Sequence, residues 1–178
     1  GSAQTSLGRK PILLEFNKSY RFALSLEIQP QQIIALVTNL KGEIQEIKKV
    51  PFCPKDNLFQ HLKSLLKFYI KESADFQNKI IGVSIGIYGV VQKNEILFTP
   101  YYPLPDVGLG KQLEEIFKVP VFVENEANLS VLGEAAFHHK YKNMIHINVH
   151  DGIGMGILVN GRLYKGRDGY AGEFGHTI

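Results

Sequence analysis

Alternating apolar and polar positions between residues 22 and 50 predict three β-strands. The strands are expected at residues 22–28, 33–38 and 43–50, and short polar turns separate them at 29–32 and 39–42. Strands that follow one another through such short turns pair as an antiparallel meander. We therefore expect the chain to open with a three-stranded antiparallel sheet.

Helical periodicity replaces this alternation after the meander. Apolar side chains recur three or four positions apart between residues 57 and 72, which predicts an amphipathic helix. A second helix is expected at 109–118, and a third follows the polar residues that begin at Glu124. Further strands are expected at residues 79–87, 96–99, 119–123, 144–149, 157–160 and 162–164. The first elements follow the plan of a ribonuclease-H-like sheet, and the last strands fit the start of a second copy.

Closely spaced glycines at residues 152–156 predict a turn. Backbone N–H groups in such a turn can bind an anion, but glycines also mark tight turns between strands, and this structural interpretation is favoured. The pattern is not the G-x-G-x-x-G that opens a helix in dinucleotide-binding folds. Asn160 followed by Gly161 predicts a type I′ hairpin turn.

Composition narrows the class of protein. Of the 178 residues, 44% are hydrophobic and 21% are charged, which is typical of a globular chain. The net charge of +3 is small and scattered, so it predicts no nucleic-acid-binding surface. Cys53 is the single cysteine, which fits a reducing, cytoplasmic compartment. No apolar run reaches the roughly 18 residues that suggest a membrane span.

Polar side chains gather where the strand at 119–123 meets the next helix. Glu124, Asn125, Glu126 and Asn128 follow that strand directly. Such strand–helix junctions are where α/β proteins bind ligands, so we expect a binding site here. Asn125 is also a favourable N-cap residue, and this explains part of the polarity without any ligand.

A second polar group lies near the end of the sequence. Glu173 and His176 are three positions apart among glycines, and together they can hold one small polyol or one metal ion. An incidental surface loop is the less favoured alternative. Tyr101 and Tyr102, among prolines, can either stack on a sugar ring or anchor their loop, and both interpretations remain open.

These motifs resemble those of the ROK family, which groups sugar kinases with sugar-responsive transcriptional repressors. Residues 124–128 and 133–134 are similar to its Glu-Asn-Asp-x-Asn…Gly-Glu motif, and residues 171–176 match its Gly-Glu-x-Gly-His motif. Residues 82–91 are similar to its Gly-x-x-Gly loop, and residues 151–166 to its glycine-rich hairpin. The resemblance extends over roughly residues 22–178.

The resemblance implies an α/β protein of the actin-like ATPase (sugar kinase) fold, with two ribonuclease-H-like lobes around a sugar. Residues 1–20 are then a linker from an N-terminal DNA-binding domain outside this chain. Residues 21–123 are the first, complete lobe, and residues 124–178 are the truncated start of the second. Residues 8–17 look like the linker of regulators of the xylose-repressor type.

The family motifs also imply roles for individual residues. Asn125 and Glu126 are expected to bind sugar hydroxyls, with Glu173 and His176 on the other side of the ring and Gly89 against it. In many members the matching histidine also binds zinc together with three downstream cysteines. We expect no zinc site within this chain, although His176 is a possible zinc ligand in the full-length protein.

Two departures from the family pattern favour a sensor over an enzyme. Family kinases hold ATP phosphates with Asp-x-Gly-Gly-Thr, whereas residues 27–32 here read Glu-Ile-Gln-Pro-Gln-Gln. This turn has no glycine, and its proline removes a backbone donor. Glu126 stands where kinases keep a catalytic Asp, and a misplacement near an ångström can cost about 100-fold in rate. We therefore expect neither ATP binding nor a catalytic residue.

The expected function is that of the sugar-binding effector region of a ROK-type repressor. It senses a pentose or hexose and signals to operator DNA through a domain outside this chain, in a homodimer and without a membrane. The alternative is a divergent ATP-dependent sugar kinase of the same family.

Overall fold

The structure is a computed structural model that describes residues 12–103, 108–138, 140–149 and 152–176. Within these residues, three helices and ten strands carry the fold. The helices are α1 (Leu58–Lys67), α2 (Leu109–Phe117) and α3 (Glu126–Phe137). The strands are β1 (Phe22–Ile28), β2 (Gln32–Asn39), β3 (Ile44–Pro51), β4 (Ile80–Ile87), β5 (Val90–Gln92), β6 (Glu95–Phe98), β7 (Val121–Asn125), β8 (Met144–Val149), β9 (Ile153–Val159) and β10 (Arg162–Leu163).

A five-stranded mixed sheet with the order β3-β2-β1-β4-β7 forms the centre of the fold. β1 pairs antiparallel with β2, and β2 pairs antiparallel with β3, so the predicted meander is confirmed. β4 lies parallel to β1 on its other side, and β7 lies parallel to β4. This arrangement brings the carboxyl ends of β1, β4 and β7 to one edge of the sheet.

The core lies between this sheet and helices α1 and α2. Alternate residues of β1 point into it, and Leu24, Leu26 and Ile28 are at most 1% exposed. Leu62 of α1 and Leu113 of α2 are completely buried against the same face. The apolar face of the sheet and the apolar faces of the two amphipathic helices are therefore buried against each other, as the hydrophobic effect favours.

α1 begins and ends with recognisable local signals. Asn57 caps its first turn, where the side-chain oxygen accepts a hydrogen bond from the backbone N–H of Gln60 at 3.1 Å. A single π-helical turn, Phe68–Glu72, extends it and buries Tyr69. Burial, together with a 2.6 Å hydrogen bond from the Tyr69 hydroxyl to Glu46, raises the pKa of this phenol well above its ordinary value.

The last strands form a separate three-stranded antiparallel sheet with the order β10-β9-β8. The predicted turn between β9 and β10 is confirmed, because Asn160 and Gly161 both have the positive φ values, 52° and 74°, that a type I′ turn needs. The division of the chain into lobes at residue 123 stays a prediction. No helix in the described ranges has the length and apolar character that a membrane crossing requires.

Two predicted loops contain strands instead. The sequence predicts a glycine-rich turn at 152–156, but β9 already begins at Ile153. Similarly, residues 82–91 resemble the Gly-x-x-Gly loop of the family, but the end of this segment belongs to β5, which pairs with β6. Glycine weakens the sequence signal of a strand, and β5 has only three residues, so neither strand shows a clear pattern.

The glycines of β9 serve helix packing. A Cβ on Gly156 would lie 2.2 Å from the carbonyl oxygen of Ala127, and one on Gly154 would lie 3.0 Å from the Ala127 Cβ. α3 therefore lies directly on β9, while on its other side Leu129 contacts the position of Gly86 in β4. α3 therefore packs against both sheets, and the glycines of β9 serve this close packing rather than the predicted turn.

This packing predicts opposite effects for two glycine-to-alanine substitutions near α3. Gly156→Ala forces α3 away from β9 and is expected to lower the free energy of unfolding by about 1–3 kcal/mol. Gly133→Ala, within α3, meets no atom within 4 Å and is expected to raise it by roughly 0.8–1 kcal/mol through helix propensity. Urea unfolding followed by circular dichroism measures both, and equal changes would contradict the close contact.

Candidate functional site

A cleft of about 280 Å³ lies at the carboxyl edge of the central sheet, beside β9. Its walls come from the segment after β4, the end of β6, the β7–α3 junction, β8, β9 and the loop after β10. The lining residues are Tyr88, Gly89, Phe98, Pro100, Tyr101, Asn125, Glu126, Asn148, Gly152, Ile153, Gly154, Met155, Gly172, Glu173 and Gly175. Mixed apolar walls with a few convergent polar groups are typical of small-molecule sites.

Asn125 has a structural role and also faces the cleft. It is the last residue of β7 and the N-cap of α3, and its Oδ1 accepts a hydrogen bond from the backbone N–H of Asn128 at 3.1 Å. Its Nδ2 donates to the carbonyl oxygen of Gly89 at 2.8 Å. These bonds use one of two amide hydrogens and one of two lone pairs, so the same amide can also bond a ligand.

Glu126 opens α3 and is oriented by a residue that the sequence analysis missed. The Nδ2 of Asn148, on β8, donates to Glu126 Oε1 and also to the Ser130 hydroxyl at 2.9 Å. Asn148 thereby joins the second sheet to α3 and lines the cleft itself. Its only sequence signal is a polar side chain in the strand 144–149, where His146 is polar as well, and such alternation is common on half-exposed strands.

Gly89 and Glu173 reach the cleft through close main-chain contacts. A Cβ on Gly89, whose φ is 149°, would lie 2.1 Å from the Phe98 carbonyl oxygen. A Cβ on Gly172, with φ 97°, would lie 2.0 Å from the Met155 carbonyl oxygen. The loop that carries Glu173 therefore rests on β9, which only glycine permits at this distance.

The structure thus brings Gly89, Asn125, Glu126 and Glu173 together at one cleft. The backbone of His176 ends a short 3₁₀ turn, Phe174–His176, but its side chain is outside the described part of the structure. Among the described residues, no three His, Cys, Asp or Glu side chains form a metal site. The roles proposed for His176 in sugar and zinc binding stay predictions.

A partly buried ion pair holds the β7–α3 junction to the loop after β10. Glu124 Oε2 accepts from Lys165 Nζ, and the two side chains are only 13% and 27% exposed. Glu124 Oε1 accepts from the backbone N–H of Asn125 at 3.0 Å and from the Asn128 side chain at 3.1 Å. The carbonyl oxygen of Lys165 accepts from Ala171 N–H at 3.1 Å, so the ion pair also anchors the loop that leads to Glu173.

The sequence leaves two roles open for Tyr101 and Tyr102, and the structure places the two side chains in different surroundings. Tyr102 is 6% exposed and packs edge-to-face on Phe52, and burial raises the pKa of its phenol well above the ordinary value. It anchors the loop in the core. Tyr101 lines the cleft instead, beside Tyr88.

Comparison with known protein families gives a match over residues 23–178 to the model described as the ROK family. The chain is 33% identical to the xylose repressor of Bacillus spizizenii over 185 residues, which covers 99% of this chain and 47% of that protein. It spans about half the length of the curated relatives it matches.

Solved structures of the same family share this fold. A ROK family transcriptional regulator, homologous to the Escherichia coli MLC protein, superposes with a TM-score of 0.77 at 25% identity, covering 88% of this chain and 41% of that one. A ROK family glucokinase from Streptomyces griseus, solved with glucose and AMPPNP, gives a TM-score of 0.72 at 28% identity, covering 87% and 50%. The predicted actin-like ATPase fold is therefore confirmed.

The Glu124–Lys165 pair predicts a stability effect larger than that of an exposed pair. Lys165→Met leaves the Glu124 carboxylate partly buried without its cation and is expected to lower the free energy of unfolding by about 1.5–3 kcal/mol. Lys67→Met breaks the exposed pair with Glu72 and is expected to cost at most about 1 kcal/mol. Chemical unfolding at low and high salt compares them, and similar losses would argue against a structural role for Lys165.

Proposed function

The chain belongs to the ROK family, and we propose that it is the sugar-binding effector region of a transcriptional repressor of this family. The observation that carries the proposal is a polar cleft fit for a sugar beside a turn unsuited to nucleotide phosphates. A DNA-binding domain elsewhere in the protein and a homodimeric assembly complete the proposal. In the intact protein, sugar binding shifts the repressor between states of different DNA affinity, which requires that one state bind the sugar better.

The chemistry of the cleft supports a neutral polyol as ligand. Asn125, Glu126, Asn148 and Glu173 supply amides and carboxylates from three separate segments. A carboxylate accepts hydrogen bonds from two adjacent hydroxyls, and an amide both donates and accepts. Sugar hydroxyls are donors and acceptors at short intervals, so these groups match them. We propose Asn125, Glu126, Glu173 and His176 as sugar contacts, with Gly89 against the ring.

The turn between β1 and β2 is closed by its own side chains. Glu27 Oε1 accepts from Gln29 Nε2 at 2.8 Å, and Gln29 Oε1 accepts from Gln32 Nε2 at 2.6 Å. The backbone N–H of Gln29 donates to the Gln32 carbonyl oxygen at 2.9 Å, and Pro30 has no N–H to offer. Nucleotide phosphates need converging backbone donors, and two positions of this turn, Gln29 and Pro30, offer none.

The groove next to this turn is also a poor environment for phosphates. It has a volume of about 470 Å³ and lies between the sheet and α3, where Glu27 and Glu126 line it. None of the described residues that line it is a lysine or an arginine. Phosphoryl transfer depends on neutralising the charge of the phosphates, and the described lining of this groove offers no cationic side chain for that purpose.

The relatives support the repressor side of the family. Proteins named xylose repressors match 99% of this chain or more at about 31–33% identity, and a ROK transcriptional regulator shares its fold. A pentose such as xylose is therefore a proposed effector, alongside hexoses. Glucokinases are also relatives, so a divergent sugar kinase is the second candidate. That candidate predicts nucleotide binding that Glu27→Asp together with Gln29→Gly would strengthen.

Sugar binding to the intact protein is expected to depend on Glu126. Glu126→Gln removes a charged acceptor while keeping the shape of the side chain, and is expected to weaken binding about 10- to 100-fold. Isothermal titration calorimetry with xylose and glucose measures the change. Glu115→Gln is the matched control, because Glu115 is an exposed residue of α2 and does not line the cleft. No heat with any pentose or hexose would contradict the proposed function.

Phosphorylation of the sugar is expected to stay at the background of a protein-free reaction. The intact protein is incubated with ATP, Mg²⁺ and either xylose or glucose, and the sugar phosphate is quantified. A known glucokinase serves as the positive control. Robust turnover would establish the kinase alternative, whereas sugar binding without turnover supports the sensor.

A further inference from the structure

Two tyrosine rings form an aromatic corner in the cleft. Tyr88, from the segment after β4, and Tyr101, from the segment after β6, have ring centroids 5.8 Å apart and an interplanar angle of 87°. Both rings are half-buried and line the cleft. Neither residue belongs to the polar motifs that the proposed function uses.

The corner is held in place before any ligand arrives. The Tyr88 hydroxyl donates to Glu27 Oε1 on β1 at 3.1 Å, so the ring is fixed at both ends. Tyr101 lies next to Tyr102, which is anchored in the core. A preorganised aromatic surface loses little conformational entropy on binding and therefore contributes more of its contact energy to affinity.

The aromatic and polar walls come from different segments of the chain. The rings of Tyr88 and Tyr101 precede α2, whereas Glu126, Asn148 and Glu173 follow β7. A ligand that uses both groups of the lining needs an apolar surface for the rings as well as hydroxyls for the amides and carboxylates. An open-chain polyol offers the hydroxyls but no flat apolar face, so it satisfies only half of the cleft.

A pyranose ring whose hydroxyls are all equatorial has both a polar edge and apolar faces. Its hydroxyls lie around the edge, and its axial C–H bonds make both faces apolar. An axial hydroxyl on the face that meets the tyrosines would lose water without gaining a hydrogen bond, which is unfavourable. Resting on the proposed sugar-binding function, we propose that Tyr88 and Tyr101 receive a C–H face of the ligand and so select all-equatorial pyranoses, such as xylose and glucose.

The first test compares sugars and ring variants by calorimetry on the intact protein. D-Xylose is compared with its C2 epimer D-lyxose, its C4 epimer L-arabinose and xylitol, and D-glucose is compared with D-mannose and D-galactose. Tyr101→Leu is expected to weaken binding of the preferred sugar about 3- to 10-fold and to reduce its preference over the epimers by a similar factor. Tyr101→Phe keeps the ring and is expected to recover most of the affinity. Tyr141→Leu, at an exposed tyrosine outside the cleft, is the matched control.

The second test needs no variant. Saturation of the aromatic protons in an NMR saturation-transfer experiment is expected to reach the axial C–H protons of the bound sugar first. The two tests separate the two proposals. Absence of binding for every sugar overturns the proposed function, whereas binding with equal affinity in Tyr101→Leu, or with no transfer from aromatic protons, overturns the aromatic corner alone.

Discussion

The direct passage from β7 into α3 is the constraint on which the rest of the structure depends. Asn125 is both the last strand residue and the helix cap, so no loop separates the two elements. The cap bond and the Glu124 carboxylate, which accepts from Asn125 and Asn128, fix the direction in which α3 leaves the sheet. Glu126 therefore begins the helix inside the cleft, and its position follows from backbone geometry rather than from a flexible loop.

The second sheet is held close to α3, and the loop after β10 close to this sheet, by contacts that only glycine allows. Gly156 lets α3 lie on β9, and Gly172 lets the following loop lie on β9 in turn. The contact at Gly156 joins β9 to α3, and the contact at Gly172 joins the following loop to β9. These two close contacts set the position of Glu173 relative to Glu126. The Glu124–Lys165 ion pair joins the same loop back to β7 and closes this chain of contacts.

Local patterns predicted most of this architecture, and the failures have physical reasons. The meander, α2 and the Asn160–Gly161 turn depend on neighbouring residues, so the sequence indicates them well. The first half of β9 was missed because its glycines serve contacts with α3 and carry no strand signal, whereas its second half falls within the strand predicted at 157–160. The polar residues of the β7–α3 junction were found from their spacing. Asn148 and Lys165 were not, because their partners lie 22 and 41 positions away and no local pattern records such contacts.

The Glu27 side chain joins the turn between β1 and β2 to the aromatic corner of the cleft. A phosphate-binding turn presents converging backbone N–H donors, whereas Pro30 in this turn has none to offer. Here the Glu27 carboxylate accepts hydrogen bonds from the side-chain amide of Gln29 and from the hydroxyl of Tyr88. It thereby closes the turn and, through Tyr88, fixes one ring of the aromatic corner. If the corner binds a sugar face, the residue that holds this turn together also positions one wall of the sugar site. Under the proposed sensor function, one carboxylate then couples the packing of the β1–β2 turn to the shape of the sugar cleft.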